Sequence, residues 1–364
     1  MGVRRIVLSL LFALALSLPG CGSGGSVTPG TTVNTTPDFT KLKSTCFAAS
    51  ASNPIMTRGT PSTSFQADWN DPSVIKVGNQ FVMYASSDNN LDLNIAIYRL
   101  VSTDGLNWSL SPATPVLQAD GNASAWDHKA VETPSVVLMN GVYHMFYTGY
   151  PSTYTDSKSY KIGHATSLDG ITWSRDANNP IVVPNDPTNS TPNFTFDQWV
   201  TAEPAAVVFN GKLYLYYSAV GSNLTNGDIQ VIGLTTSTNG TTWSTPQEAL
   251  RPDQTLYPRT GGTTNWLGYS TPMAAVLNGQ MHLFFDVVQN SPWKQLKIHH
   301  ASSSDGLTNW THDSAAIYSN TNFAWTADEV RSPTVLLDGT SLYMWFAGAT
   351  AAPVLSIGEA KCAL

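Results

Sequence analysis

Three carboxylates stand at equivalent points of a repeated pattern, each next to or near a proline. They are Asp71 in the string WNDPS, Glu132 in ETPS and Glu203 in AEPA. Where carboxyl groups gather, burial and mutual repulsion raise the pKa of the least solvated group. Such a set can supply a general acid together with a base or nucleophile. The pattern therefore predicts acid–base chemistry if the fold brings the three together. The alternative is that the carboxylates hydrogen bond to neighbouring strands or bind a cation.

The carboxylates belong to a set of five segments that align without a gap. Each segment has an apolar run, a two-residue turn and an alternating aromatic run, as in ETPSVVLMNGVYHMFYTG. The turns consist of Gly, Asn or Asp, which tolerate the positive φ that tight hairpins require. Each segment is therefore predicted to form a β-hairpin. The shared prolines recur with a period of roughly 60 to 70 residues: Pro72, Pro134, Pro204, Pro272 and Pro333.

A second repeat follows each of the first four hairpins. Its strings are STDGLNW, SLDGITW, STNGTTW and SSDGLTNW, and the Asp-Gly or Asn-Gly pair closes a second hairpin. Two hairpins per period make a four-stranded antiparallel sheet, and five such sheets repeated radially make a propeller. We therefore predict an all-β, five-bladed β-propeller. The tryptophans of this repeat are expected to pack in the core: Trp108, Trp173, Trp243 and Trp310.

The fifth unit ends soon after its third strand, so its outer strand is missing or is supplied by the N-terminal segment. Cys46 and Cys362 lie at the two ends of the domain, and a disulfide between them would close the ring. Two unpaired thiols remain the alternative, because pairing cannot be read from sequence.

The N-terminal residues are typical of an export signal. Arg4 and Arg5 precede the apolar run Ile6 to Leu18, and LPGC follows. The last four residues resemble the bacterial lipobox, which implies residues 1–20 as a lipoprotein signal peptide and Cys21 as the lipidated residue. Residues 21–38 are predicted to be a flexible tether and residues 39–364 a single propeller domain. The alternative is an ordinary signal peptide with an unrelated cysteine.

The charge of the chain argues against nucleic acid as a partner. The full sequence has 18 basic and 25 acidic residues; removal of the signal removes two arginines, which leaves 16 minus 25, or −9. A phosphate backbone would be repelled by that sign. We expect a monomer that meets the membrane only through its lipid anchor, on the bacterial outer membrane or cell surface.

Turn length predicts which end of the propeller holds the site. The tight Asn-Gly and Asp-Gly turns share one face, and the long connections share the other, where function concentrates. The residues before the shared prolines enter the channel at that second face, and Arg331 is the only cation among them. It could hold Asp71 ionised, bind substrate or form a structural ion pair. Five tryptophans also precede the prolines, for stacking or for packing: Trp69, Trp126, Trp199, Trp266 and Trp325.

The repeated strings resemble the five-bladed glycoside hydrolases of families 43 and 32 from about Phe65 to Lys361. The resemblance implies that Asp71 is the base or nucleophile and that Glu203 tunes pKa values or binds substrate. The general-acid Glu of those families would stand at Ser270-Thr271, where this chain has no acid. Glu132 in the second blade has the expected E-x-P pattern instead. Candidates for the acid are therefore Glu132, Glu203, Asp328 and Glu329, unless hydrolysis has been lost.

The resemblance implies a glycosidase acting on arabinose-, xylose- or fructose-containing oligo- or polysaccharides. Asn70, Asp127 and His128 are further candidates for hydrogen bonding a sugar, with solvated loop residues as the alternative for the last two. A non-catalytic carbohydrate-binding propeller is the competing prediction. A phosphorylase ranks lower, because only Arg331 and Lys129 lie near the mouth to hold phosphate. No cofactor is required, and although some relatives bind an axial calcium ion, no ligand pattern here supports one.

Overall fold

The computed structural model describes residues 36–62, 68–88, 94–151, 160–185, 195–223, 227–258, 266–290, 292–351 and 354–364. The predicted signal peptide, Cys21 and nearly all of the predicted tether lie outside these residues. The first described element is a 3₁₀ helix, Phe39–Lys41, whose first turn is capped by the side chain of Asp38. Further 3₁₀ turns are Ser44–Cys46, Asn320–Asn322 and Ala324–Thr326. No helix in the described ranges is long and apolar enough to cross a membrane.

The first two blades are separate four-stranded antiparallel sheets, as the double hairpin pattern predicts. Blade 1 consists of β2 (Trp69–Val77), β3 (Gln80–Ser87), β4 (Ala96–Ser102) and β5 (Ser109–Leu110), with β1 (Ala48–Ala49) preceding them in the chain. Blade 2 consists of β6 (Ala130–Met139), β7 (Val142–Tyr150), β8 (Lys161–Ser167) and β9 (Ser174–Arg175).

Blades 3 and 4 repeat the pattern and touch each other through one parallel backbone bridge, Gln230 to Gly268. A Cβ on Gly268 would lie 1.8 Å from the Gln230 carbonyl oxygen, so only glycine permits this approach. Blade 3 consists of β10 (Val200–Phe209), β11 (Lys212–Asn223), β12 (Gly227–Ser237) and β13 (Gln247–Leu250). Blade 4 consists of β14 (Trp266–Leu277), β15 (Gln280–Gln289), β16 (Lys294–Ser303) and β17 (Thr311–His312), with β18 (Tyr318–Ser319) also on β16.

Blade 5 is completed by the N-terminal segment. Its strands β19 (Glu329–Asp338), β20 (Ser341–Ala349) and β21 (Leu355–Ala363) pair in order, and β1 adds antiparallel to β21. Cys46 and Cys362 form a disulfide across 316 residues of chain. Of the alternatives that the sequence left open, the structure has the borrowed strand and the paired cysteines, and the fold is the predicted five-bladed β-propeller.

The second repeat joins each of the first four blades to the blade before it in the ring. A ring from the preceding blade donates to the turn glycine: Trp345 to the Gly105 carbonyl at 2.8 Å and Tyr84 to that of Gly170 at 2.7 Å. The tryptophan of each turn packs edge-to-face on an aromatic ring of the preceding blade. The pairs are Trp108–Trp345, Trp173–Tyr84, Trp243–Phe146 and Trp310–Tyr216. The core-packing prediction for these four tryptophans is confirmed.

Each inner strand is interrupted by a bulge at its shared proline. The pairing register shifts there in all five blades, and the residue before the proline has a positive φ of 40 to 54°. This backbone conformation is strained for residues other than glycine and typically occurs at functional sites. The five strained residues are Asp71, Thr133, Glu203, Thr271 and Ser332.

Candidate active site

The strained residues converge on the propeller axis and line one cavity. Its walls also contain the five shared prolines and the residues that follow three of them, Ser73, Ser135 and Met273. The bulge explains this convergence, because an extra residue in a strand re-aims the neighbouring side chains. Asp71 and Glu203 face the cavity from these bulges, and Glu132 stands one residue before the bulge of blade 2.

Asp71 lies beside the only strand-entry arginine. Its carboxylate accepts a hydrogen bond from the Ser332 hydroxyl at 2.7 Å, and Arg331 Nη2 lies 4.0 Å from Oδ1. Burial raises the pKa of Asp71, and the Arg331 guanidinium and the Ser332 hydroxyl oppose that rise. Blade 5 thus supplies the groups that stabilise the ionised form of the blade 1 carboxylate.

Glu132 is the carboxyl most suited to stay protonated. Burial, followed by the negative charge of Asp71, raises the pKa of Glu132 to about 8. The Tyr150 hydroxyl is its neighbour, and burial next to that carboxyl raises the pKa of the tyrosine too. A proton on Glu132 therefore relieves repulsion from Asp71, and the two carboxyls are coupled.

Glu203 is held by blades 3 and 4. One of its oxygens accepts hydrogen bonds from the hydroxyls of Ser218 and Ser270, and from the backbone N–H of Thr271 at 2.9 Å. The Ser270-Thr271 pair, which stands where the resemblance expects a general acid, therefore anchors the carboxylate of the neighbouring blade.

Asp286 is a carboxyl that the sequence reasoning missed. It lies on β15, has no exposed surface, and burial raises its pKa well above the usual range. Both its oxygens are 3.0 Å from the Ser332 backbone N–H, and Gln295 Nε2 donates to Oδ2 at 2.9 Å. The gapless alignment contains a signal for it, because the equivalent residues of the other blades are small or hydroxylated: Ser86, Thr148, Ser218 and Ala347.

Arg331 is enclosed by acids. Its Nη1 lies 3.7 Å from Glu329 Oε2, on the opposite side from Asp71. Burial alone would lower the pKa of Arg331, but the carboxylates of Glu329 and Asp71, followed by Glu203 and Asp286, raise it further above its ordinary value. Of the two fallback acids, Glu329 therefore belongs to the site, whereas Asp328 pairs with Lys294.

The prediction that Trp69 could stack on a sugar is wrong. Its side chain is fully buried, and its indole N–H donates to the Thr60 carbonyl at 2.7 Å. Trp126 instead lies over the backbone of blade 2, where a Cβ on Gly149 or Gly163 would come within 2.8 Å of its ring. Trp325 occupies the equivalent shelf in blade 5, over Gly348 and Gly358. Packing therefore explains these three tryptophans.

Asp127 is not a sugar ligand in this arrangement, which corrects the expectation from sequence. Its side chain is 1% exposed and forms an ion pair with Arg175 at 3.0 Å. The Tyr147 hydroxyl donates to the same carboxylate at 3.1 Å. Asp197 accepts a similar bond from Tyr217 in blade 3 at 3.5 Å, so the role repeats and is structural.

The remaining predicted binding residues stay candidates. Asn70 lies at the channel, with Oδ1 3.5 Å from the Ser332 hydroxyl. His128 is half-buried, and its Nδ1 lies 2.8 Å from the Ala125 carbonyl oxygen. Trp199 and Trp266 are half-buried on the entering segments; Trp266 packs edge-to-face on Tyr257 at 5.4 Å.

The site is built from carboxyls, hydroxyls, amides and one guanidinium. In the described part of the chain, no group of three or more His, Cys, Asp or Glu side chains is arranged to hold a metal ion. The groups present can donate and accept protons and can hydrogen bond hydroxyl-rich molecules.

The fold and the acids at its axis define a class of protein, the five-bladed β-propellers with an acidic axial site. The sequence matches no described protein family and no curated protein. Among solved structures, the chain is similar to a thermostable family-43 glycoside hydrolase (15% identity, TM-score 0.61), covering 83% of this chain and 92% of that one. It is also similar to an α-L-arabinofuranosidase from Lactobacillus brevis (10% identity, TM-score 0.59, coverage 84% and 92%).

A third similar structure comes from family 130 of the mannoside phosphorylases, a family that contains glycoside hydrolases targeting β-1,2 mannosidic linkages in Candida mannan. Here the identity is 13%, the TM-score 0.59, and the coverage 86% of this chain and 93% of that one. At these identities the comparisons establish the propeller fold shared with glycoside hydrolases. Function has to be argued from the site.

Proposed function

We propose that this protein is a glycoside hydrolase acting on arabinose-, xylose- or fructose-containing glycans. The observation that carries the proposal is the coupled pair of carboxyls at the channel. Asp71 lines the axial cavity with a cation and a hydroxyl beside it, and Glu132, one residue before the bulge of blade 2, has a pKa of about 8. Glycosidic cleavage requires this division into an ionised and a protonated carboxyl.

The roles follow from these surroundings. Glu132 donates its proton to the glycosidic oxygen as the bond to the anomeric carbon breaks. Asp71 either attacks that carbon or takes a proton from the attacking water. Glu203 supports the acid role of Glu132 through its negative charge, which raises the pKa of Glu132. Arg331 keeps Asp71 ionised during the proton transfer.

The substrate class is supported by the similar structures, which include a family-43 enzyme and an arabinofuranosidase. It is also supported by the low charged fraction of the chain, 12%, with 11 Trp and 14 Tyr, which suits a neutral polymer. We further propose export and lipid anchoring at Cys21, and a monomeric state. Metabolic labelling with a palmitate analogue, lost in Cys21→Ala, tests the anchor.

The test of the function is a reducing-sugar assay against arabinan, arabinoxylan, levan and aryl furanosides. Asp71→Asn and Glu132→Gln keep size and shape and remove one titrating group each. We expect release by the wild type and loss in both variants. Release that persists undiminished in Asp71→Asn would contradict the assignment.

A carbohydrate-binding propeller without catalysis is the second candidate, and one observation favours it. The entering strand of blade 4 has Ser270 and Thr271 where the resemblance requires an acid, and both are engaged with Glu203. This candidate predicts glycan binding in calorimetry with no product after long incubation. A phosphorylase is less well supported, because Arg331 faces two carboxylates and Lys129 donates to Asn94.

A further inference from the structure

A ring of hydrogen bonds from backbone to side chain joins neighbouring blades around the channel. At three junctions, a hydroxyl on the second strand of one blade accepts the N–H of the strained residue in the next. Ser86 accepts from Thr133 at 2.9 Å, Thr148 from Glu203 at 2.8 Å, and Ser218 from Thr271 at 2.9 Å. A hydroxyl is therefore sufficient for this joint.

At the fourth junction, between blades 4 and 5, the acceptor is the carboxyl group of Asp286. Both oxygens receive the Ser332 N–H, and one also receives the Gln295 amide. A fully buried carboxylate costs far more to desolvate than a hydroxyl unless a charge compensates it. Its presence here, where serine or threonine serves elsewhere, indicates a role beyond the joint.

One chain of contacts connects Asp286 to Asp71. Ser332, whose backbone Asp286 holds at a positive φ of 52°, donates its hydroxyl to Asp71. Asp286 therefore positions one of the groups that stabilise the ionised form of Asp71.

Asp286 lies level with the strand-entry residue of its own blade. In the antiparallel pairing of β14 and β15, Asp286 is the direct partner of Ser270. It thus introduces a carboxyl from the second strand of blade 4 at the level where the first strand has none.

We propose that Asp286 is a positioning residue of the active site, which holds Ser332 against Asp71. The inference rests on the proposed hydrolytic function and assigns it a further residue. The charged groups that face Asp71 are Arg331, Glu132 and Glu203, and none of them is altered in the variants below.

The test uses Asp286→Asn, which keeps shape and one acceptor oxygen, and Asp286→Ala, which installs the residue of blade 5 and removes both acceptor oxygens. We expect kcat to fall about tenfold or more with KM nearly unchanged, because Asp286 has no exposed surface with which to touch substrate. The acidic limb of the kcat/KM profile should move to higher pH, because Asp71 loses the Ser332 hydroxyl that stabilises its ionised form.

A second measurement needs no substrate. The ¹³C carboxyl titration of Asp71, assigned with Asp71→Asn, should move to higher pH by about 0.5 unit or more in Asp286→Asn. A shifted titration in a protein whose wild type cleaves no glycan would refute the proposed function and leave the positioning role standing. Tyr216→Phe is the control, because it removes a hydrogen bond to Gly306 in an outer turn. If Asp286→Asn lowers only the Tm, as the control does, the proposal is overturned.

Discussion

At the scale of single residues, chemistry is decided by surroundings rather than by residue type. Asp71 and Asp127 are both buried aspartates close to an inner strand. One faces a cavity with Arg331 4.0 Å away, and the other closes an ion pair with Arg175 at 3.0 Å. Asp71 can therefore exchange a proton with a ligand, whereas Asp127 stabilises its blade.

The pH dependence of catalysis follows from Glu132. A general acid works only while protonated, and the pKa of Glu132 is about 8. We expect kcat/KM to fall as the pH rises through about 8, and Glu132→Gln to lower kcat by about 10² to 10⁴. With aryl glycosides that have acidic leaving groups, kcat of Glu132→Gln should fall less, because such a leaving group needs less proton donation. If the pH profile of the remaining Glu132→Gln activity still falls near pH 8, another residue is the general acid.

At the scale of elements, the repeat made the hairpins predictable, but it did not reveal the contact partners of individual side chains. Gly-Asn and Asn-Gly turns encode local backbone geometry, so strand order and blade number follow from short strings. The fate of Asp127 depends on Arg175, 48 residues away, which no local pattern reveals. Asp286 was visible as an odd residue in an aligned column, yet its importance depends on Ser332 and Arg331 in the next blade.

The contact between blades 3 and 4 gives a sharp test at this scale. Gly268→Ala places a methyl group 1.8 Å from the Gln230 carbonyl oxygen, so the strands must separate. We expect a loss of about 3 kcal/mol in the free energy of unfolding. Gly121→Ala is the control, since a Cβ there meets nothing within 4 Å. Urea denaturation measures both, and equal effects would disprove the tight approach.

At the scale of the whole molecule, the ring is closed by the N-terminal segment. The pairing of β1 with β21 spans Ala48 and Ala49, a further bridge joins Met56 to Ile357, and the disulfide adds a covalent tie between the chain ends. A cross-link over so long a loop stabilises by on the order of 5 kcal/mol in the chain-entropy account.

Removal of the disulfide should therefore lower the stability of the entire domain. We expect Cys46→Ser with Cys362→Ser to lower the Tm by about 10 °C in a domain of this size. Wild-type protein treated with reductant should match the double variant, and reductant should leave the variant unchanged. A Tm that is insensitive to reductant in the wild type would show that strand pairing alone closes the ring.

The stability of the folded ring should also depend on buried histidines. Burial, followed by the neighbouring His300, lowers the pKa of His282 to about 4. Near pH 5 the unfolded chain binds a proton at this position and the folded chain does not, so acid favours unfolding between about pH 6.5 and 4. Asp313 and His300 are the titratable groups that face it and remain in place.

The substitution His282→Gln tests this pH dependence. The difference in the free energy of unfolding between His282→Gln and the wild type should be more favourable to the variant at pH 5 than at pH 7, by on the order of 2 kcal/mol, in urea denaturation at each pH. His128→Gln, on a half-buried loop, is the matched control. An equal change for His282→Gln at both pH values would mean that His282 is protonated in the folded protein.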